Sequence, residues 1–172
     1  MYTTNLFDEL LVLWGQDFPN DDIIVVQAAL RIRFLAELEQ QALQDVLAEF
    51  HIGVGDSDVL LILSRHNTPS RIRPSDIAAL CNVSTGAITG RLDRLQARGY
   101  IRRENSSEDK RASYVELTET GKALGLKVRQ ALNERSRFLL TLRNIPKADL
   151  VEFNRVLDGM ITQLVDSSAG KR

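Results

Sequence analysis

Cysteine is almost absent from this chain: Cys81 is the only one in 172 residues. That excludes an intramolecular disulfide and fits a reducing, cytoplasmic setting. Histidine is nearly as scarce, with only His51 and His66. Three soft ligands so dispersed do not make a structural zinc site, so neither a metal nor another cofactor is expected. No cysteine–histidine pair, nucleophile elbow or phosphate-binding glycine loop is present, which argues against an enzyme. Apolar runs such as Val59–Leu63 are far too short to span a bilayer. The first residues carry Asp8 and Glu9 and no basic stretch, so no secretory signal is expected. Neither proline nor glycine interrupts residues 20–50, which leaves room for one long helix.

What is present is an uneven charge. The net value is −1, but residues 1–64 hold 2 basic and 11 acidic side chains. Residues 65–111 reverse this with 10 basic and 5 acidic, and residues 112–172 hold 10 and 7. Positive charge on one middle segment is the electrostatic footprint of a nucleic-acid reader. A solvated basic face would look the same by charge alone, so the local pattern has to decide.

That pattern runs from Ile72 to Leu117. Pro74 or Ser75 opens a short helix to Cys81, with Ile77, Ala78 and Leu80 apolar. Asn82-Val83-Ser84 reads as a tight turn, and Ser84 as the N-cap of a helix over Thr85–Arg98 stopped by Gly99. Tyr100–Glu104 and Ala112–Leu117 alternate like strands, with Asn105–Lys110 as a polar tip. Helix, turn, helix and hairpin make a winged helix-turn-helix, in a mainly α chain with a small β-hairpin wing. The second helix of such a unit lies in the major groove with its first turns at the base edges. Those turns carry Ser84, Thr85, Gly86 and Thr89, which are small and polar, while Ile88, Leu92 and Leu95 face inward. Arg94 and Arg98 farther along suit phosphates. Lys110 and Arg111 lie at the wing tip, where Arg111 is placed to enter a minor groove and Asp109 to orient it.

The flanks are helical. Leu6, Leu10, Leu13 and Trp14 form an N-terminal stripe; Ile24 through Phe50 keep helical spacing; and Val54–His66 forms a short helix. Thr118–Gly121 opens a helix to about Leu142, and Pro146 begins the last one. So long a helix in a small chain usually packs on a partner chain as well. The expected division is 1–51, an N-terminal helix plus a long dimerisation helix; 52–117, the DNA-binding domain; 118–166, C-terminal dimerisation helices; and 167–172, a disordered tail.

Leu92-Asp93-Arg94-Leu95, Gly99-Tyr100-Ile101, Asp109-x-Arg111 and Leu117-Thr118 with Gly121 together resemble the MarR family of bacterial transcriptional regulators. The resemblance implies a homodimer held by its terminal helices, with one winged head per subunit. Such dimers bind pseudo-palindromic double-stranded DNA and often release it when a small molecule binds. Within the family, Trp14 on an added N-terminal helix, the acid in Asp58-Val59-Leu60, Arg91 and Arg103 resemble the urate-responsive branch, which includes the PecS-type regulators. By that resemblance Trp14, Asp58, Arg91 and Arg103 are the ligand-responsive set. A urate- or xanthine-like anion would disturb a pairing of Asp58 with Arg103 and shift the second helix, giving a repressor released by ligand. A planar anion can stack on indole and accept a forked guanidinium pair.

The residues themselves leave alternatives. Arg91 sits at the edge of the buried stripe, either curling out to a phosphate or meeting a carboxylate, for which Asp58 is the natural candidate. Asp58 could equally serve helix-start electrostatics. Trp14 could be core or interface, and Arg103 could brace the wing. Other branches of the family sense phenolic or aromatic acids or drugs, and a DNA-binding protein with no effector also fits. Cys81, among apolar residues, reads as an inert thiol rather than a redox sensor.

Overall fold

The computed structural model describes residues 9, 12–13, 20–65, 72–105 and 113–169. Helix α1 runs from Asn20 to Leu47, 28 residues without a breaker. A short 3-10 turn, Ala48–Phe50, follows, and His51 closes it in the left-handed region at φ 53°. The chain forms two compact units that divide inside α1, residues 1–41 and 42–172. The division falls ten residues before the expected boundary because Ala42, Val46 and Leu47 are already buried in the second unit.

Helix α2, Val54–Arg65, buries Val59, Leu60 and Leu63. Ile72 makes an isolated antiparallel bridge to Val115, a third strand contact that the hairpin pattern did not announce. Helix α3, Pro74–Leu80, has its proline in the first turn, where a missing N–H costs nothing. Asn82 takes φ 51° in the turn. Helix α4, Thr85–Ala97, is capped by Ser84, whose Oγ accepts from Ala87 N at 3.3 Å. Gly99 leaves α4 at φ 71°, a conformation L side chains rarely adopt. Strands β1, Ile101–Asn105, and β2, Ser113–Leu117, pair antiparallel with Ile101 opposite Leu117.

Helix α5, Glu119–Arg135, starts on Thr118, whose Oγ1 accepts from Gly121 N at 3.0 Å. The expected continuation to Leu142 is broken. Ser136 is fully buried with ψ 114°, which turns the chain out of helical register, and its Oγ caps a new helix, α6, Arg137–Arg143. Ion pairs Arg135–Glu49 (2.7 Å) and Arg137–Asp45 (2.6 Å) tie both sides of the break to the end of α1 and the turn after it. Helix α7 spans Lys147–Ala169. The tail expected to be disordered from Ser167 is helical through Ala169, with neither proline nor glycine between Met160 and Ala169.

One apolar core joins the second unit. It gathers Leu47, Leu60, Ile77, Ile88, Leu92, Leu95, Val115 and Val128 among others. The buried stripe Ile88, Leu92 and Leu95 fixes which side of α4 faces out. No described helix is long and apolar enough to cross a membrane.

Candidate nucleic-acid interface

With Ile88, Leu92 and Leu95 inward, Ser84, Thr85, Gly86 and Thr89 are all exposed on the first turns of α4. Ser84 spends its oxygen on the cap, and Thr89 Oγ1 donates to Thr85 O at 2.8 Å. A Cβ built on Gly86 would meet nothing within 4 Å, so the backbone there is open to close approach.

Arg94 and Arg98, expected on phosphates, are instead turned onto the protein. Arg94 grips Asp56 with two bonds, Nη2 to Oδ1 at 2.7 Å and Nε to Oδ2 at 3.2 Å. The hydrogen bond and charge of Asp56 push the Arg94 pKa further up. Arg98 Nη1 donates to His51 O at 2.6 Å, and its guanidinium lies 5.0 Å from the Tyr100 ring centroid.

Arg91 meets a carboxylate. Its Nη1 donates to Gly55 O at 3.2 Å and lies 3.5 Å from Asp58 Oδ2. Its side chain is 20% exposed and that of Asp58 42%, so the couple is half-sheltered behind the reading helix. Burial raises the Asp58 pKa, and the positive charge of Arg91 opposes that rise. Cys81 is half-buried beside them, its thiol pKa raised by burial and then by the Asp58 charge, with Arg91 acting the other way. A raised thiol pKa disfavours the reactive thiolate.

Arg103 is not the partner of Asp58. It bonds Asp93 Oδ1 at 2.6 Å and Thr89 O at 3.4 Å, clamping β1 to α4. The expected Asp58–Arg103 pairing is thus replaced by two couples, Asp58–Arg91 and Asp93–Arg103. Alignment of positions cannot tell which of several carboxylates an arginine reaches. Trp14, Asp109, Lys110 and Arg111 lie outside the described residues. Sequence reasoning passed over Asp56, Gly55 and Asp93 as partners. The one available signal was the i, i+3, i+7 spacing of Arg91, Arg94 and Arg98.

A capped helix with small polar first turns, a preceding short helix at a tight turn and an adjoining two-stranded wing define a winged-helix DNA-binding protein. Residues 52–112 match the model of the MarR family. Over that winged-helix segment the chain is similar to the MarR family of transcriptional regulators. It is similar to the HTH-type transcriptional regulator PecS of Dickeya dadantii, 28% identical over 136 residues, covering 77% of this chain and 80% of that one. Its fold matches a cysteine-to-serine mutant of MarR from E. coli complexed with operator DNA, with TM-score 0.68 and 22% identity over 83% of this chain and 99% of that one. It also matches a MepR–DNA complex from S. aureus, with TM-score 0.70 and 18% identity over 78% and 96%.

Proposed function

We propose that this protein is a transcriptional repressor that binds a pseudo-palindromic operator as a homodimer and lets go when a small anionic aromatic ligand, urate or a close analogue, binds behind the reading helix. The observation that carries this reading is the Arg91–Asp58 couple. It places a half-buried guanidinium on α4 against a carboxylate on α2, with burial already disfavouring the carboxylate's charge. An incoming anion would compete with Asp58 for Arg91, and two anions on one guanidinium repel in a low-dielectric site. Release of Asp58 would then loosen the hold of α2 on α4. The similarity to PecS over most of the chain supports the same reading. Trp14 would supply a stacking surface, and Arg103 would keep the wing tied to α4 through Asp93.

Dimerisation is supported by apolar surface left exposed among the described residues. Helix α7 exposes Val151, Phe153, Val156, Ile161 and Leu164, and α1 separately exposes Ile24, Val25, Ile32 and Leu38. Faces of this kind mark association surfaces.

Titration of urate, xanthine and a phenolic acid against a protein-bound fluorescent duplex tests the ligand. Urate is expected to release DNA from the wild type, and Arg91→Ala to stay dimeric, to bind DNA more weakly even without ligand and to respond little to urate. Release from Arg91→Ala at wild-type ligand levels would place the pocket elsewhere, and no release by any compound would leave a regulator without this class of effector. For DNA reading, Ser84, Thr85, Gly86 and Thr89 enter the major groove, and Lys110 and Arg111 reach DNA from the wing. Arg111→Ala is expected to weaken operator binding by about 1–3 kcal/mol. Unchanged affinity in a fluorescence titration would remove the wing tip from the interface.

A further inference from the structure

Three arginines on one flank of α4 close onto one short segment. Arg91 bonds Gly55 O and faces Asp58, Arg94 grips Asp56, and Arg98 bonds His51 O. At about 100° per residue, positions 91, 94 and 98 fall on one side of the inward stripe and Thr85 and Thr89 on the other. The arginines therefore bind the reading helix laterally to residues 51–58, while Thr85, Gly86 and Thr89 stay exposed on the other flank, where Arg103 of the wing holds Asp93 and the Thr89 carbonyl.

The middle rung is the asymmetric one. Asp56 has a side chain only 8% exposed, whereas Arg94 is 60% exposed. A sheltered carboxylate cannot turn to another partner, so it sets where the guanidinium sits. The bond is forked, and a forked pair constrains direction as well as distance. Both oxygens of Asp56 are engaged, and Asp56 lies in the first turn of α2, anchored by Val59 and Leu60 in the core.

We propose that Asp56 is a positioning residue for DNA recognition. Through Arg94 it holds α4 at the tilt that presents Gly86 and Thr89 to base edges, and Arg94 serves DNA binding by this bond rather than by a phosphate contact. A small error in tilt moves the first turns of the helix, where the base edges are read, and leaves a general attraction to the phosphate backbone in place.

The two roles for Arg94 predict opposite signs. If Arg94 contacted phosphate, Asp56→Asn would free the guanidinium and remove a negative charge near the duplex, so binding would tighten. If Asp56 positions the helix, Asp56→Asn weakens specific binding. The probe is a short duplex recovered by the wild-type full chain from a randomised pool, with a scrambled duplex as control. Asp56→Asn is expected to lose on the order of tenfold in affinity for the recovered duplex, the scale of one lost base contact, with no fall for the scrambled one. The slope of log affinity against log salt should stay at the wild-type value in Asp56→Asn and in the Asp56→Asn/Arg94→Gln double variant, whose affinity should match the single variant within about twofold. The double variant keeps a neutral pair of similar size, so it avoids stranding a buried charge. Circular dichroism below the melting temperature confirms that each variant is folded in the binding assay. Tighter or unchanged binding by Asp56→Asn overturns the proposal, as does a slope shallower by about 0.9 in the double variant, the signature of a lost phosphate contact.

Discussion

Gly121→Ala is expected to destabilise the protein by about 3 kcal/mol, at the upper end of overpacking penalties. A Cβ at this position would lie 1.9 Å from Tyr100 O and 2.8 Å from Tyr100 C, both main-chain atoms. Thr118 N already donates to that same carbonyl at 3.1 Å, and Thr118 Oγ1 donates to Gly99 O at 2.7 Å, so the junction has nowhere to give. Alanine favours a helix over glycine by roughly 1 kcal/mol, too little to offset a backbone displaced by more than an ångström. Because β1 begins one residue after Tyr100, the strain falls on the root of the wing. Thermal melting should show a drop of roughly 10 °C, at about 2–4 °C per kcal/mol for a chain of this size. A melting temperature within a couple of degrees of wild type would mean that α5 and the hairpin slide apart freely.

The same substitution at Gly55 should do the reverse, sparing stability and striking the response to ligand. Here the Cβ would fall 2.5 Å from Arg91 Cζ and Nε, the far end of a flexible side chain. The guanidinium can swing away, so melting should change by no more than about 1 kcal/mol. What is lost is its seat between Gly55 O and Asp58. If the Arg91–Asp58 couple is the ligand switch proposed above, ligand-free DNA binding should weaken, and the further loss of affinity on adding urate should shrink by at least about tenfold, equivalent to 1.4 kcal/mol.

A second readout does not depend on the ligand. Burial already raises the Asp58 pKa and Arg91 restrains it, so displacing Arg91 should raise it further, measurable by carboxyl NMR titration. The sign for stability follows. A carboxyl whose folded pKa exceeds its unfolded value favours folding while protonated, and that advantage disappears as pH rises through the folded pKa. Gly55→Ala should therefore lose relatively more stability at neutral pH than in the acid range where Asp58 titrates. An unmoved Asp58 titration would show that the guanidinium re-seats around the new methyl group.

Much of the fold was legible because its signals are local. Ser84 caps α4, Pro74 opens α3, Gly99 ends the helix-turn-helix, and the uninterrupted run after Asn20 makes α1. Each depends on the chemistry of a few neighbouring residues. The break at Ser136 escaped because serine is common inside helices. What forces the turn there is the buried surroundings of Ser136 and the ties of Arg135 and Arg137 to Glu49 and Asp45, more than 80 residues away in sequence. Ile72 escaped for the same reason, since a single residue bridging to Val115 has no period to read.

The amino-acid sequence by itself determined the class of this protein: a winged helix-turn-helix with positive charge on its reading segment and small polar residues at the start of α4. Periodicity, capping and charge are properties of adjacent positions and need no partner. Tertiary structure alone decided which carboxylate each arginine meets. Asp56, Asp58 and Asp93 all carry the same charge, and the arginines that join the first two lie 38 and 33 positions away. Coulomb attraction depends on separation in space and on shelter from water. Only the packing of α2 against α4 brought Asp56 to Arg94 and Asp58 to Arg91, and only the return of β1 along α4 gave Asp93 to Arg103.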